Sequence, residues 1–209
     1  DASLQSKKTL LNAGNSLKNS GLINGDITVL KAKQINNEGT GRIYGTALGL
    51  QADVLNNRPG ADGTAPVISA RDRLDIGVKI LNNEANAADY DSQALILSAG
   101  DFYLGGALDQ NNQAIGIAQA VNNAGARIEA LGDLYFSAQH VNNTNANFDA
   151  GLVLTSVEKD QYKEMRGGWK TFDGQYFDGN SNEDWTVYRY DIEHYETQVK
   201  TSAPGLIQA

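Results

Sequence analysis

The sequence predicts an all-β chain, a β-solenoid of coils about 20 residues long with an antiparallel β-hairpin projecting from it near the C-terminus. Three observations carry that expectation. An aliphatic residue followed by two asparagines recurs five times before residue 150. The apolar residues between these phrases alternate with polar ones in short runs, which is strand periodicity, and helical spacing is not sustained. Asparagine and glycine punctuate the runs: 19 of the 21 asparagines precede residue 151, and the chain holds 22 glycines. Both residue types tolerate the left-handed backbone that tight turns use. The regular return of aliphatic residues separates this pattern from a disordered tract.

The repeats run in order as Ile35-Asn36-Asn37, Leu55-Asn56-Asn57, Leu81-Asn82-Asn83, Val121-Asn122-Asn123 and Val141-Asn142-Asn143, at intervals of 20, 26, 40 and 20. A weaker copy, Leu17-Lys18-Asn19, precedes them. The interval of 26 reads as one period plus a six-residue turn insertion, Arg58 to Gly63, and the interval of 40 reads as two periods. Within the period, Gly25-Asp26-Ile27-Thr28-Val29, Gly100-Asp101-Phe102-Tyr103-Leu104 and Gly132-Asp133-Leu134-Tyr135-Phe136 give a turn, then apolar-x-apolar. Asp72-Arg73-Leu74-Asp75-Ile76 adds one residue before the same alternation, and Ile43, Ile68, Ile96 and Ile128 stand upstream as isolated apolar positions.

One such coil cannot bury its apolar residues alone, so coils stack at about 4.8 Å per parallel strand. Stacking sets equivalent asparagines above one another, where their amides hydrogen-bond in ladders. Asn36, Asn37, Asn56, Asn57, Asn82, Asn83, Asn122, Asn123, Asn142 and Asn143 are therefore read as structural. Residues 20–150 should make six or seven coils, roughly 30 Å of stack, with Ile35, Leu55, Leu81, Val121 and Val141 inside. A leucine-rich horseshoe shares the repeat length but needs a denser leucine phrase.

From residue 151 the texture changes, and nine of the 16 aromatic residues fall in the last 59. Leu152 to Val157 reads as one strand, and Thr186 to Ile192 as another, with a phase change near His194 that suggests a bulge. Between them a Gly- and Asp-rich stretch reads as a mobile tip, about 164–184. The expected division is 1–150 repeat, 151–200 hairpin and 201–209 a return to coil sequence at Leu206-Ile207. Tyr and Trp dominate binding hot spots, so Trp169, Tyr176, Trp185, Tyr188 and Tyr190 are the candidate partner contacts. The competing role is to cover the solenoid flank and a sheet edge.

Other chemistry is thin. His140 and His194 lack ligand-spaced partners. Asp178, Asn180, Asn182 and Asp184 have the oxygen spacing of a calcium loop, but Glu183 stands where that loop turns on glycine and Arg189 where it ends on glutamate. Asn142-Asn143-Thr144 is a glycosylation sequon on a ladder position. Asp72, Asp101 and Asp133 recur at one place in the repeat, which points to turn chemistry more than to a carboxylate pair for hydrolysis. No cofactor is expected. A charge of −8 gives no electrostatic footprint for nucleic acid or anionic membrane, and no apolar run approaches a membrane span. With no cysteine there is no disulfide framework. The start at Asp1, without methionine or a signal-like run, is read as a cut from a longer chain.

Ser69-Ala70-Arg71-Asp72-Arg73-Leu74-Asp75-Ile76-Gly77, Ala94-Leu95-Ile96-Leu97-Ser98-Ala99-Gly100-Asp101 and, most specifically, Ala118 with Val121-Asn122-Asn123-Ala124-Gly125-Ala126-Arg127-Ile128-Glu129-Ala130 resemble the repeats of filamentous-haemagglutinin two-partner-secretion exoproteins. That family includes contact-dependent growth-inhibition toxins. The resemblance covers roughly residues 20–150. It implies a right-handed parallel β-helix, secretion to the bacterial cell surface through a dedicated outer-membrane transporter, and the part of a stalk segment in an adhesin or toxin, with a target-cell receptor as the further partner. The Asn-Pro-Asn motifs of that family's secretion module are absent. An enzyme is not expected; the alternative is a β-helix polysaccharide lyase or hydrolase.

Overall fold

In the computed structural model, residues 2–86, 92–165, 169–170 and 185–209 are described, and every regular element among them is a β-strand. In chain order these are β1 (Ser3–Gln5), β2 (Lys8–Asn12), β3 (Ser16–Asn19), β4 (Leu22–Asn24), β5 (Ile27–Lys31), β6 (Gln34–Glu38), β7 (Arg42–Arg58) and β8 (Val67–Glu84). Next come β9 (Leu95–Ser98), β10 (Asp101–Gly105), β11 (Ala107–Leu108), β12 (Ala114–Ile115), β13 (Ala118–Ala124), β14 (Arg127–Ala130), β15 (Leu134–Phe136) and β16 (Ala138–Thr144). The last four are β17 (Asp149–Met165), β18 (Trp169–Lys170), β19 (Trp185–Thr201) and β20 (Leu206–Gln208). Contacts divide the chain into two units, Asp1–Phe148 with Thr201–Ala209, and Asp149–Lys200.

The first unit is built on one large parallel sheet of 15 strands. Its strands sort into three rows that the chain visits in a fixed order. The first row joins β1, β4, the start of β7, the start of β8, β9, β14 and β20. The second joins β2, β5, the middles of β7 and β8, β10 and β15. The third joins β3, β6, the ends of β7 and β8, β13 and β16.

Because the pairing is in register, like residues stack. Ile23, Ile43, Ile68, Ile96 and Ile128 form a buried column in the first row, and Leu17, Ile35, Leu55, Leu81 and Val121 one in the third. The second row contributes Leu30, Leu50, Ile76 and Leu104, with Leu48, Leu74 and Phe102 beside them. Each such side chain stabilises the fold by about 1.5–3 kcal/mol relative to exposure. Phe102 and Phe136 meet edge to face at 5.4 Å, the geometry the ring quadrupole favours.

Four details differ from the sequence expectation. Leu81 pairs directly with Val121, so the 40-residue interval is one traverse and not two. Residues 20–150 accordingly contain five third-row strands, not six or seven coils. The surplus residues lie in the segment after β8 and in an excursion between β10 and β13. The 26-residue interval is not a single six-residue insertion either. The offset between partners is 25 at Ile43 and Ile68 but 26 at Leu48 and Leu74. Five extra residues precede β8 and the sixth is a bulge opposite Gly45–Ala47.

The third difference is at β5. Thr28 and Leu30 are buried while Ile27 is 45% exposed, and Val29, on the Ile27 face, is buried as well. The inner positions are thus Thr28 and Leu30, one residue out of phase with the alternation expected from Ile27 and Val29. The fourth is Val141, 49% exposed. It pairs with Val121, but β16 ends the third row and no described strand covers its far side.

The second unit holds a three-stranded sheet in the order β18-β17-β19. β17 and β18 are antiparallel, with Met165 opposite Trp169. The Thr155 hydroxyl donates to the His194 carbonyl at 3.1 Å and the Tyr190 hydroxyl to Asp160 at 2.7 Å.

Candidate functional site

The asparagine pairs form two amide ladders along the third row. In the buried one, Nδ2 of Asn19 donates to Oδ1 of Asn37, and so on through Asn57, Asn83 and Asn123 to Asn143, at 2.8–2.9 Å. The second N–H of these amides meets a backbone carbonyl at the next corner: Val67 for Asn37, Leu95 for Asn57, Arg127 for Asn83. Carbonyl oxygens only accept, so these contacts fix which end of each amide is nitrogen. The outer ladder runs the opposite way, Asn142 donating to Asn122, Asn122 to Asn82, Asn82 to Asn56 and Asn56 to Asn36. Antiparallel amide dipoles offset each other along the stack. The Asn142 nitrogen of the sequon is occupied as a ladder donor.

On the outward side of the second row stands a polar and aromatic file. Asp75 is buried and holds Arg73 through two hydrogen bonds, 2.6 and 2.9 Å. This bond raises the Arg73 pKa. The guanidinium lies 3.9 Å over the Tyr103 ring, and Tyr103 stacks on Tyr135 at 4.7 Å with 7° between planes. Each phenol donates to the aspartate two residues before it, Tyr103 to Asp101 and Tyr135 to Asp133. Burial first, then the Asp101 bond, raises the Tyr103 pKa; the Asp133 bond chiefly raises that of Tyr135. Asp101 also accepts the Asp133 N–H at 3.0 Å. Asp101 sits opposite Arg73, not Asp72, so the three aspartates of the repeat do not form one row.

The excursion between β10 and β13 lies over the same sheet face. β11 and β12 pair antiparallel, Ala107 with Ile115 and Leu108 with Ala114. In the turn between them the Asp109 carboxylate accepts the N–H groups of Asn111 and Gln113. Asn112 takes the left-handed conformation at φ 60, which asparagine tolerates. Asp75 anchors the turn by accepting the Ala114 N–H at 2.9 Å. The excursion seats where the face lacks side chains: a methyl on Gly77 would overlap the Ala107 and Leu108 backbone. Between turn and sheet lies a groove of ≈ 390 Å³, floored by Leu10, Ile27 and Val29, walled by Asn111, Asn112 and Gln113, and flanked by Lys8.

Sequence reasoning missed this groove. Its signals were the one-residue slip at Ile27 and the amide-rich Gln110-Asn111-Asn112-Gln113. Of the aromatic candidates, Tyr188 and Tyr190 are exposed on β19, Trp169 lies in β18, Trp185 opens β19, and Tyr176 lies outside the described residues. Asp178, Asn180, Asn182 and Asp184 lie outside them too. His194 is 3.5 Å from Glu158. Among the described residues no three His, Cys, Asp or Glu side chains are grouped to hold a metal ion, and no helix is long and apolar enough to cross a membrane. Compared with known protein families, curated proteins and solved structures, the chain finds no match in any of the three.

Proposed function

We propose that this chain is a stalk segment of a large secreted bacterial surface protein of the filamentous-haemagglutinin type, an adhesin or a contact-dependent inhibition toxin, exported through an outer-membrane two-partner-secretion transporter. On this reading Asp1–Phe148 with Thr201–Ala209 is a right-handed parallel β-helix and Asp149–Lys200 carries a long antiparallel hairpin. The stalk acts as a rigid spacer that holds a distal domain away from the producing cell, and the hairpin is where a target-cell receptor would be sought.

The observation that supports the spacer most is the in-register third row, in which Leu17, Ile35, Leu55, Leu81 and Val121 succeed one another with nearest-neighbour pairing throughout. Such a stack lengthens by one strand spacing per repeat, and each repeat depends only on its neighbours. The test inserts five extra copies of residues 36–55 into the full-length secreted protein. A spacer lengthens by about 24 Å, at ~4.8 Å per added strand, read by small-angle scattering of the purified stalk and by the reach of the surface filament, with export retained. Unchanged length, or loss of the cooperative fold with an in-register insertion, sinks the reading.

A further inference from the structure

We infer that the groove beneath the Asp109–Gln113 turn is a docking site for an extended peptide segment of a partner protein, one carrying an aliphatic side chain next to a carboxylate. The inference is independent of the spacer reading, because it rests on the second-row face alone.

The groove is a built feature. Its turn is held by the Asp109 carboxylate from within and by Asp75 from below, and Asp75 is itself clamped by Arg73. The floor is apolar and laterally open. Ile27 has Lys8 on one side in register and Ala47 on the other, yet remains 45% exposed, so its exposure faces outward and not along the stack. Leu10, 57% exposed, stands in register with Val29 on β2, whose outer edge is unpaired among the described strands.

The lining chemistry selects the occupant. Among the floor strands β5 and β7 are paired on both sides, whereas β2 pairs only with β5 among the described strands and keeps an open outer edge. Beneath the turn, over Ile27 and Val29 of β5, the backbone is fully paired and recognition falls to side chains. The wall supplies primary amides, which donate and accept at once and match the alternating N–H and C=O of an extended backbone. Pyranose recognition favours aromatic platforms and open carboxylates. No aromatic residue lines this groove, and both oxygens of its one carboxylate, Asp75, are engaged by Arg73 and Ala114. Lys8 is exposed and has no ion-pair partner among the described residues, which leaves the groove with one uncompensated positive charge for a carboxylate on the ligand.

The test pans a random linear dodecapeptide display library on the immobilised 209-residue chain and measures the selected peptides by fluorescence anisotropy. The selected peptides are expected to pair an aliphatic residue with Asp or Glu. Ile27→Lys, and the double variant Asn111→Ala with Gln113→Ala, should each weaken them at least tenfold at an unchanged melting temperature. Lys8→Glu, a change on an exposed side chain, should turn the selected peptides from acidic to basic and decides the matter if a floor variant unfolds. Failure to recover any peptide, or peptides indifferent to all three changes, overturns the inference. So does an oligosaccharide array on which a sugar binds the wild-type chain and is lost with Ile27→Lys while no peptide is recovered, since that assigns the groove to a glycan.

Discussion

Asn57 makes three hydrogen bonds with one buried amide: its oxygen accepts from Asn37, and its nitrogen donates to Asn83 and to the Leu95 carbonyl. Alanine at this position orphans partners on both neighbouring traverses. With each unsatisfied buried group costing about 1–3 kcal/mol, Asn57→Ala should lower stability by about 2–5 kcal/mol in denaturant melts, against under about 1 kcal/mol for the exposed outer Asn142→Ala. Asn57→Asp can accept but cannot donate, and places a charge in the stack. Burial would raise its folded-state pKa, so the damage should be largest at neutral pH and ease as pH falls; a loss independent of pH would contradict the donor assignment. The phenols of Tyr103 and Tyr135 sit above the ordinary 10.0. A raised phenol contributes stability that is whole below the unfolded value and lost as pH climbs through the folded one. Ultraviolet titration of Asp133→Asn should therefore show one tyrosine ionising at lower pH than in the wild type, because the Tyr135 phenol loses the carboxylate that opposes its ionisation.

Strand register decides which face each element offers, and there the sequence was legible in some places and opaque in others. The isoleucine column of the first row and the asparagine file of the third could be read as a pattern, because one residue type repeats at one spacing. The second row was legible only in part: the apolar-x-apolar phrases at Leu74, Phe102 and Leu134 pair in register as read, but the one at Ile27 does not. Its inner positions are filled by Thr28, Leu48, Leu74, Phe102 and Leu134 in turn, so type changes along the column, and the Gly-Asp cue before Ile27 sits one residue out of phase with the cue before Phe102. The excursion was hidden for another reason: the 40-residue interval from Leu81 to Val121 that contains it equals two periods by coincidence, and only the Leu81–Val121 pairing separates the cases. Two contrasts test these assignments. Val121→Asp buries an unpaired charge and should cost several kcal/mol, whereas Val141→Asp, on the open last strand, should cost under about 1 kcal/mol. Gly77→Ala should displace the excursion at about 1–3 kcal/mol, while Gly49→Ala, whose methyl would meet Leu108 at 3.4 Å and Asn112 at 3.5 Å, should be close to neutral. Equal costs within either pair in thermal melts would contradict the register.

At the scale of the whole molecule, the chain leaves the parallel sheet after Phe148 and rejoins it at Thr201, and the two ends of that departure are tied together inside the first unit. The Thr201 hydroxyl donates to the Asn147 carbonyl at 3.0 Å, the Asn145 amide to the Ser202 hydroxyl at 2.8 Å, and Ala146 N–H to the Ala203 carbonyl at 3.0 Å. Beyond them β20 completes the first row on β14, with Ile207 against Ile128. The first unit thus closes across the departure point with its own hydrogen bonds. Replacing residues 149–200 with a four-residue Gly-Ser linker should leave the first unit folded. Shortening a 52-residue connection to four residues lowers loop-closure entropy by at most about 2 kcal/mol, so the melting temperature should hold or rise. Circular dichroism and a thermal melt measure this directly. A fall in cooperativity, or loss of β signal beyond that of the removed strands, would mean that residues 149–200 support the sheet. An unchanged melt with lost partner-cell binding in the full-length protein would assign those residues to recognition, and unchanged binding would leave the groove under the Asp109–Gln113 turn as the recognition surface of the segment.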